Sequence, residues 1–129
     1  MTPLAEKILE YVEIHPGASF VEITKIEGCE GELALTFSTY ENIVLWPSMS
    51  QACVEALAEL RNAKLIEMKP STPLVYMIDG GLVKLPLAKT ARQYKEPHWL
   101  PTVLWPTRKK SSRLTKFIVD QKIKDATKK

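Results

Sequence analysis

Two cysteines, two histidines and five glycines are all that this 129-residue chain offers of the residue types that build metal centres, nucleophilic sites and phosphate cradles. Neither Cys29 nor Cys53 belongs to a Cys-x-x-Cys pair, so a zinc site would need both, with His15 and His98, to converge from four separate segments. A disulfide framework is excluded by count; a single bridge can be drawn, but both thiols are expected reduced. His15 and His98 stand in no pattern with a Ser, Cys or Asp that marks catalysis, and His15 precedes Pro16-Gly17, where an imidazole meets the negative end of a helix. No glycine-rich loop leads into a helix carrying the Lys and Ser/Thr that a phosphate loop requires. The acidic turn of Glu27, Glu30 and Glu32 lacks the alternating oxygen ligands of a calcium loop. No apolar run approaches the ~20 residues that span a bilayer, and no basic region leads into an apolar core at the N-terminus. The expectation is a cytoplasmic protein that is not an enzyme, with no catalytic residues, metal, cofactor or membrane partner.

What is present is the composition of one ordinary domain, 45% apolar and 26% charged. The net charge of +3 conceals an asymmetry. Residues 1–106 hold nine Lys/Arg against thirteen Asp/Glu, a balance of −4, whereas 107–129 hold nine against two, a balance of +7. Such a tail neutralises phosphates without reading bases, with an affinity that falls steeply with salt. The alternative is a solvated terminus that aids solubility.

Local signals then divide the chain. Thr2 caps a helix with Pro3 in its first turn, and Leu4, Ile8, Tyr11 and Val12 recur at helical spacing until Pro16-Gly17. Ser19 and Glu22 have capping-box spacing, which predicts a short second helix with Phe20, Val21 and Ile23. Leu33–Phe37 and Ile43–Trp46 predict an extended hairpin, stopped by Pro47. Ser48 or Ser50 caps a third helix reaching about Asn62, packed through Ala52, Cys53, Ala56, Leu57 and Leu60. Leu65–Met68 and Leu74–Ile78 predict two strands paired across Lys69-Pro70-Ser71-Thr72-Pro73, closed by Asp79-Gly80-Gly81.

Helix followed by hairpin, with Ala56-Leu57-x-x-Leu60-x-x-Ala63-x-Leu65-Ile66 at the junction, resembles bacterial and archaeal regulators of the winged helix-turn-helix superfamily over about residues 3–79. The resemblance is one of pattern and singles out no family within it. Those proteins typically carry Gly where this chain has Lys64, and they lack the hairpin inserted before the third helix. The implied fold class is α+β, a winged helix of three helices and a β-hairpin wing, with an inserted hairpin and a C-terminal extension. The implied division is a winged-helix domain at 1–80, a Pro/Trp-rich arm at 81–106 and a basic tail at 107–129. Glu96–Pro106, with two tryptophans and three prolines, suits neither a helix nor an internal strand. It packs Trp99 and Trp105 back on the domain or offers them to a protein partner. Leu114, Phe117 and Ile118 place an amphipathic helical pattern in the tail, suited to a homodimer.

The resemblance implies double-stranded DNA binding by a transcriptional regulator or an accessory protein of a mobile or viral element, with the third helix in a major groove and the wing on the backbone. Ser50, Gln51 and Asn62 are then candidates for base edges and Arg61 for a phosphate; Lys69 and Thr72 become wing contacts, and Arg108, Lys109, Lys110 and Arg113 a phosphate clamp. Glu55 and Glu59 oppose this, since carboxylates repel phosphates. The rival is a protein-interaction module on the same scaffold, using Glu55, Glu59 and the Trp-Pro arm.

Overall fold

The computed structural model describes residues 1–107, so Arg108, Lys109, Lys110, Arg113 and the amphipathic pattern of the tail lie outside the described residues. The N-terminal helix α1 spans Pro3–Ile14. Its cap is as expected: the Thr2 hydroxyl accepts from the Ala5 amide at 3.2 Å, and Pro3 supplies a preset φ in a position whose amide has no intrahelical partner. Ala5, Ile8 and Val12 form its buried face. A two-residue strand β1, Ala18–Ser19, follows, and then a single helical turn α2, Phe20–Ile23. The predicted capping box does not form. Ser19 Oγ donates to Asp79 Oδ2 at 2.6 Å, and the Tyr11 hydroxyl donates to Glu22, so both members of the box bond to distant partners instead.

The expected hairpin forms from β2, Glu30–Thr36, antiparallel to β3, Ile43–Met49. Pro47 does not stop the strand as expected. The register shifts from Leu35 opposite Trp46 to Leu33 opposite Met49, which leaves Pro47-Ser48 in a bulge, a place where a residue without an amide donor breaks no ladder bond. The hairpin is held against the next helix by Gly31, where a Cβ would lie 2.5 Å from Ser50 Cα. Helix α3, Gln51–Asn62, starts at Ser50, whose hydroxyl accepts from the Cys53 amide at 3.0 Å. It packs on α1 through Cys53, Ala56, Leu57 and Leu60.

After α3, Ala63 is still helical, Lys64 turns the chain at φ 59°, and β4 runs Ile66–Pro70. The strand expected to pair with β4, Leu74–Ile78, is a helix: α4 spans Pro73–Asp79. Pro73 at its first position favours the helical φ, and Gly80 ends it in the left-handed region at φ 94°, a conformation an L side chain resists. Chain segment 102–106 takes the vacant place. Strand β6, Thr102–Pro106, pairs antiparallel with β4 from Ile66 opposite Pro106 to Pro70 opposite Thr102, and on its other edge with β1. The Trp-Pro segment therefore supplies the central strand of a sheet ordered β1-β6-β4, contrary to its reading as unfit for an internal strand. Its prolines lie just before the strand, at Pro101, and at its last residue, Pro106, so the interior keeps its amide donors.

A second sheet, ordered β2-β3-β5, is completed by β5, His98–Trp99, lying parallel to Ile43 and Val44 of β3. Trp99 is buried against Tyr76 in an edge-to-face pair with ring centroids 5.0 Å apart. The Tyr76 hydroxyl donates to the Thr102 carbonyl at 2.6 Å and accepts from the Phe20 amide at 3.2 Å. Burial pushes its pKa up to about 12, so the phenol stays a donor. One side chain thus ties α4 to α2 and to the central strand. The architecture is mixed α+β, with four helices and two three-stranded sheets among the described residues. None of these helices is long and apolar enough to cross a membrane.

Candidate nucleic-acid interface

With Cys53, Ala56, Leu57 and Leu60 buried, helical periodicity places Gln51, Glu55, Ala58 and Asn62 on one solvent-facing stripe of α3, all exposed. The two ends of this stripe differ. At the N-terminal end the Ser50 hydroxyl accepts from Cys53 and donates to the Gly28 carbonyl at 2.5 Å, which occupies it as a cap rather than leaving it for a ligand. Gln51 is exposed, but the hairpin strand alongside carries Glu30 and Glu32, with Glu30 opposite Met49 in register. Glu59 is turned toward the start of α1, where it accepts from the Thr2 amide and hydroxyl, each at 3.2 Å. Its charge is therefore directed to the α1 cap rather than standing free, whereas Glu55 is exposed.

The C-terminal end is basic. Arg61, Lys64 and Lys69 line one open cleft of about 530 Å³ between α3 and β4, together with Ile66, Met68 and one carboxylate, Glu67. No carboxylate among the described residues lies within ion-pair distance of Arg61 or Lys64. Lys69 meets Glu67 at 3.6 Å, but both side chains are more than half exposed, so water screens the pair. Its ammonium also lies 5.7 Å from the Trp105 ring centroid. Thr107 forms part of the cleft wall, its amide donating to the Leu65 carbonyl at 3.1 Å. The chain therefore passes directly from this cleft into Arg108-Lys109-Lys110.

Of the residues proposed from sequence, Arg61 and Lys69 share this cleft, Asn62 lines a separate groove with Glu55, Glu59 and Thr2, and Gln51 lies at the other end of α3. Thr72 is exposed just before α4, at the opposite end of β4 from Lys64, and makes no side-chain cap bond. Lys64 belongs to the cleft and was absent from the sequence candidates. Its signal was present as a Lys at a position that favours Gly, and it is the one non-glycine residue with positive φ among those described.

Cys29 and Cys53 are both free and fully buried. The neighbouring Cys29 side chain, followed by burial, raises the Cys53 pKa and keeps the thiol protonated. Among the described residues, no three of His, Cys, Asp and Glu converge to hold a metal ion. The chain matches no protein-family model, no curated protein and no solved structure.

Proposed function

We propose that this chain is a winged-helix protein that binds double-stranded DNA, with β4 and β6 as the wing strands and residues 71–101 inserted between them. The order α1, β1, α2, α3, β4, β6 and the sheet order β1-β6-β4 support that reading, with α2 and α3 as the helix pair and the β2–β3 hairpin as an insertion. The observation that carries the DNA reading is the convergence of Arg61, Lys64 and Lys69 in the cleft from which the +7 segment departs.

Phosphates dock in that cleft, since three cations at one mouth displace condensed counterions, and the adjoining tail adds sequence-independent affinity. Arg61 and the C-terminal turn of α3 then face the duplex. The acidic hairpin beside Gln51 holds the N-terminal half away from the backbone.

The test is fluorescence anisotropy of a labelled random duplex, titrated at two salt concentrations with the full chain, with Arg61→Ala and Lys69→Ala, and with Arg108, Lys109 and Lys110 all changed to Ala. The full chain binds with strong salt dependence. Each cleft substitution lowers the slope of log K against log salt by about 0.9, and the tail variant keeps a weaker, still salt-dependent affinity. Binding untouched by Arg61→Ala and Lys69→Ala, or absent altogether, would remove the cleft from any DNA interface.

A further inference from the structure

Arg61 lines a second cavity besides the basic cleft, one of about 110 Å³ in the seam between the two sheets. Phe37 and Leu45 reach it from the β2–β3 hairpin, Met68 and Pro70 from β4, and Leu100 from the link between β5 and β6. Among the described residues the two sheets share no strand, and Phe37, Met68 and Leu100 pack on the core while staying only partly buried. The gap between them is therefore apolar on most of its wall.

Its neutral polar groups are largely occupied. The Thr102 hydroxyl donates to the Leu100 carbonyl at 2.9 Å, and the Leu100 amide donates to the Val44 carbonyl at 3.0 Å. Arg61 differs from them. It is exposed, and no carboxylate among the described residues lies within ion-pair distance of it. A guanidinium offers five N–H donors in a planar fork that matches the two oxygens of a carboxylate.

We propose that this seam binds a short aliphatic carboxylate, its hydrocarbon end among Phe37, Leu45, Met68 and Leu100 and its anionic end on Arg61. The cavity sets the size: a closed space of about 150 Å³ takes up benzene, so one of about 110 Å³ takes a branched group of about four carbons. The charge sets the head group, since an amine of the same shape would bring a like charge to the guanidinium. So few buried atoms give an affinity that is roughly millimolar. Binding here does not depend on the DNA reading. Its consequence does: Arg61 also lines the basic cleft, so a carboxylate held by it competes with phosphate for one guanidinium.

The test follows the methyl resonances of Leu45, Met68 and Leu100 in the isotopically labelled full chain, without DNA, as isovalerate is added. These methyls shift along a saturating curve, while those of Leu4, which lines a different groove, do not. Acetate, which lacks the hydrocarbon, and isoamylamine, which reverses the charge, bind more weakly, and benzoate is too large to bind as well. Arg61→Ala keeps the thermal midpoint, because the side chain is exposed, and weakens isovalerate on the order of tenfold. No saturating shift at those methyls overturns the proposal. So does isoamylamine, acetate or benzoate binding as tightly as isovalerate, or an Arg61→Ala affinity equal to that of the unchanged chain. A chain that binds isovalerate in this way but binds no DNA keeps the site and loses only the competition.

Discussion

Replacing Lys64 by Gly should make the protein more stable and a poorer DNA binder at once. Lys64 holds φ 59°, where the Cβ of an L residue crowds the following carbonyl at a cost of about 1–2 kcal/mol. Glycine relieves that crowding but loses roughly 0.5–1 kcal/mol more in conformational entropy on folding. The net gain expected is about 0.5–1 kcal/mol, or roughly 3 °C in melting temperature for a chain of this size. The same substitution removes one of three cations from the cleft, lowering the salt slope of DNA binding by about 0.9 if that side chain contacts a phosphate. Lys64→Ala separates the two effects, because it removes the charge and keeps the strain. Urea denaturation and anisotropy of the three proteins form the assay. Equal stability of the Gly and Ala variants would show that the turn stores no strain. Salt slopes unchanged in both would show that Lys64 faces no phosphate, and the strained cation would need another explanation. Strain tolerated at one exposed position is what a binding role for that side chain would produce, since a glycine there would satisfy the fold better.

Two buried groups give further tests. The Glu13 carboxyl is 7% exposed, with Oε2 unpartnered, and burial followed by the nearby Glu10 charge raises its pKa above the usual 4.5. The folded state therefore holds this proton more tightly than the unfolded chain. Glu13 destabilises the fold as pH rises from about 4.5 through the raised folded value, so Glu13→Gln melts above the unchanged chain at pH 7 and the difference closes below about pH 4.5. A difference independent of pH would show that ionisation is not its cause. Tyr76→Phe keeps the ring against Trp99 but leaves the Phe20 amide and the Thr102 carbonyl without their partner, at a cost of about 1–3 kcal/mol. The urea midpoint should fall with its slope unchanged, and no fall would mean that those groups find other partners.

Features fixed by neighbours in the chain were legible in the sequence. Thr2 was identifiable as a cap from its own spacing, the cap of the third helix as one of Ser48 and Ser50, the hairpin from two apolar runs, and the special turn at 64 from a Lys in a glycine's position. Pairing between distant segments was not legible. Leu74–Ile78 and Thr102–Trp105 are both short apolar runs, and within such a run periodicity does not separate strand from helix. Choosing the nearer run as the partner of β4 follows the usual shortness of connections. The decisive marks were Pro73 before the first run and Gly80 after it, start and stop signals of a helix that were read instead as turn residues. The candidate site was legible to the extent that charge alone defined it. That the Ser50 hydroxyl also donates to the Gly28 carbonyl and Glu59 turns to Thr2 depends on residues 22 and 57 positions away.

The misread run also bears on the surface it creates. Taking 74–78 as a strand placed its five consecutive apolar residues alternately on the two faces of a hairpin. In a helix of seven residues lying on the outside of a domain, only one face turns inward, and Tyr76 fills it. Leu74, Met77 and Ile78 then have no place inside, because Trp99, Trp46 and Phe20 already surround the tyrosine ring and its hydroxyl. Their exposure follows from the exchange in which β6 pairs with β4 and α4 lies at the surface. Solubility alone would favour polar residues at those three positions, and helix propensity would not oppose them. An apolar stripe at those positions is therefore not required by the core, and Ile78→Asp should leave the thermal midpoint of the chain unchanged, a fall showing instead that the side chain packs in the folded state.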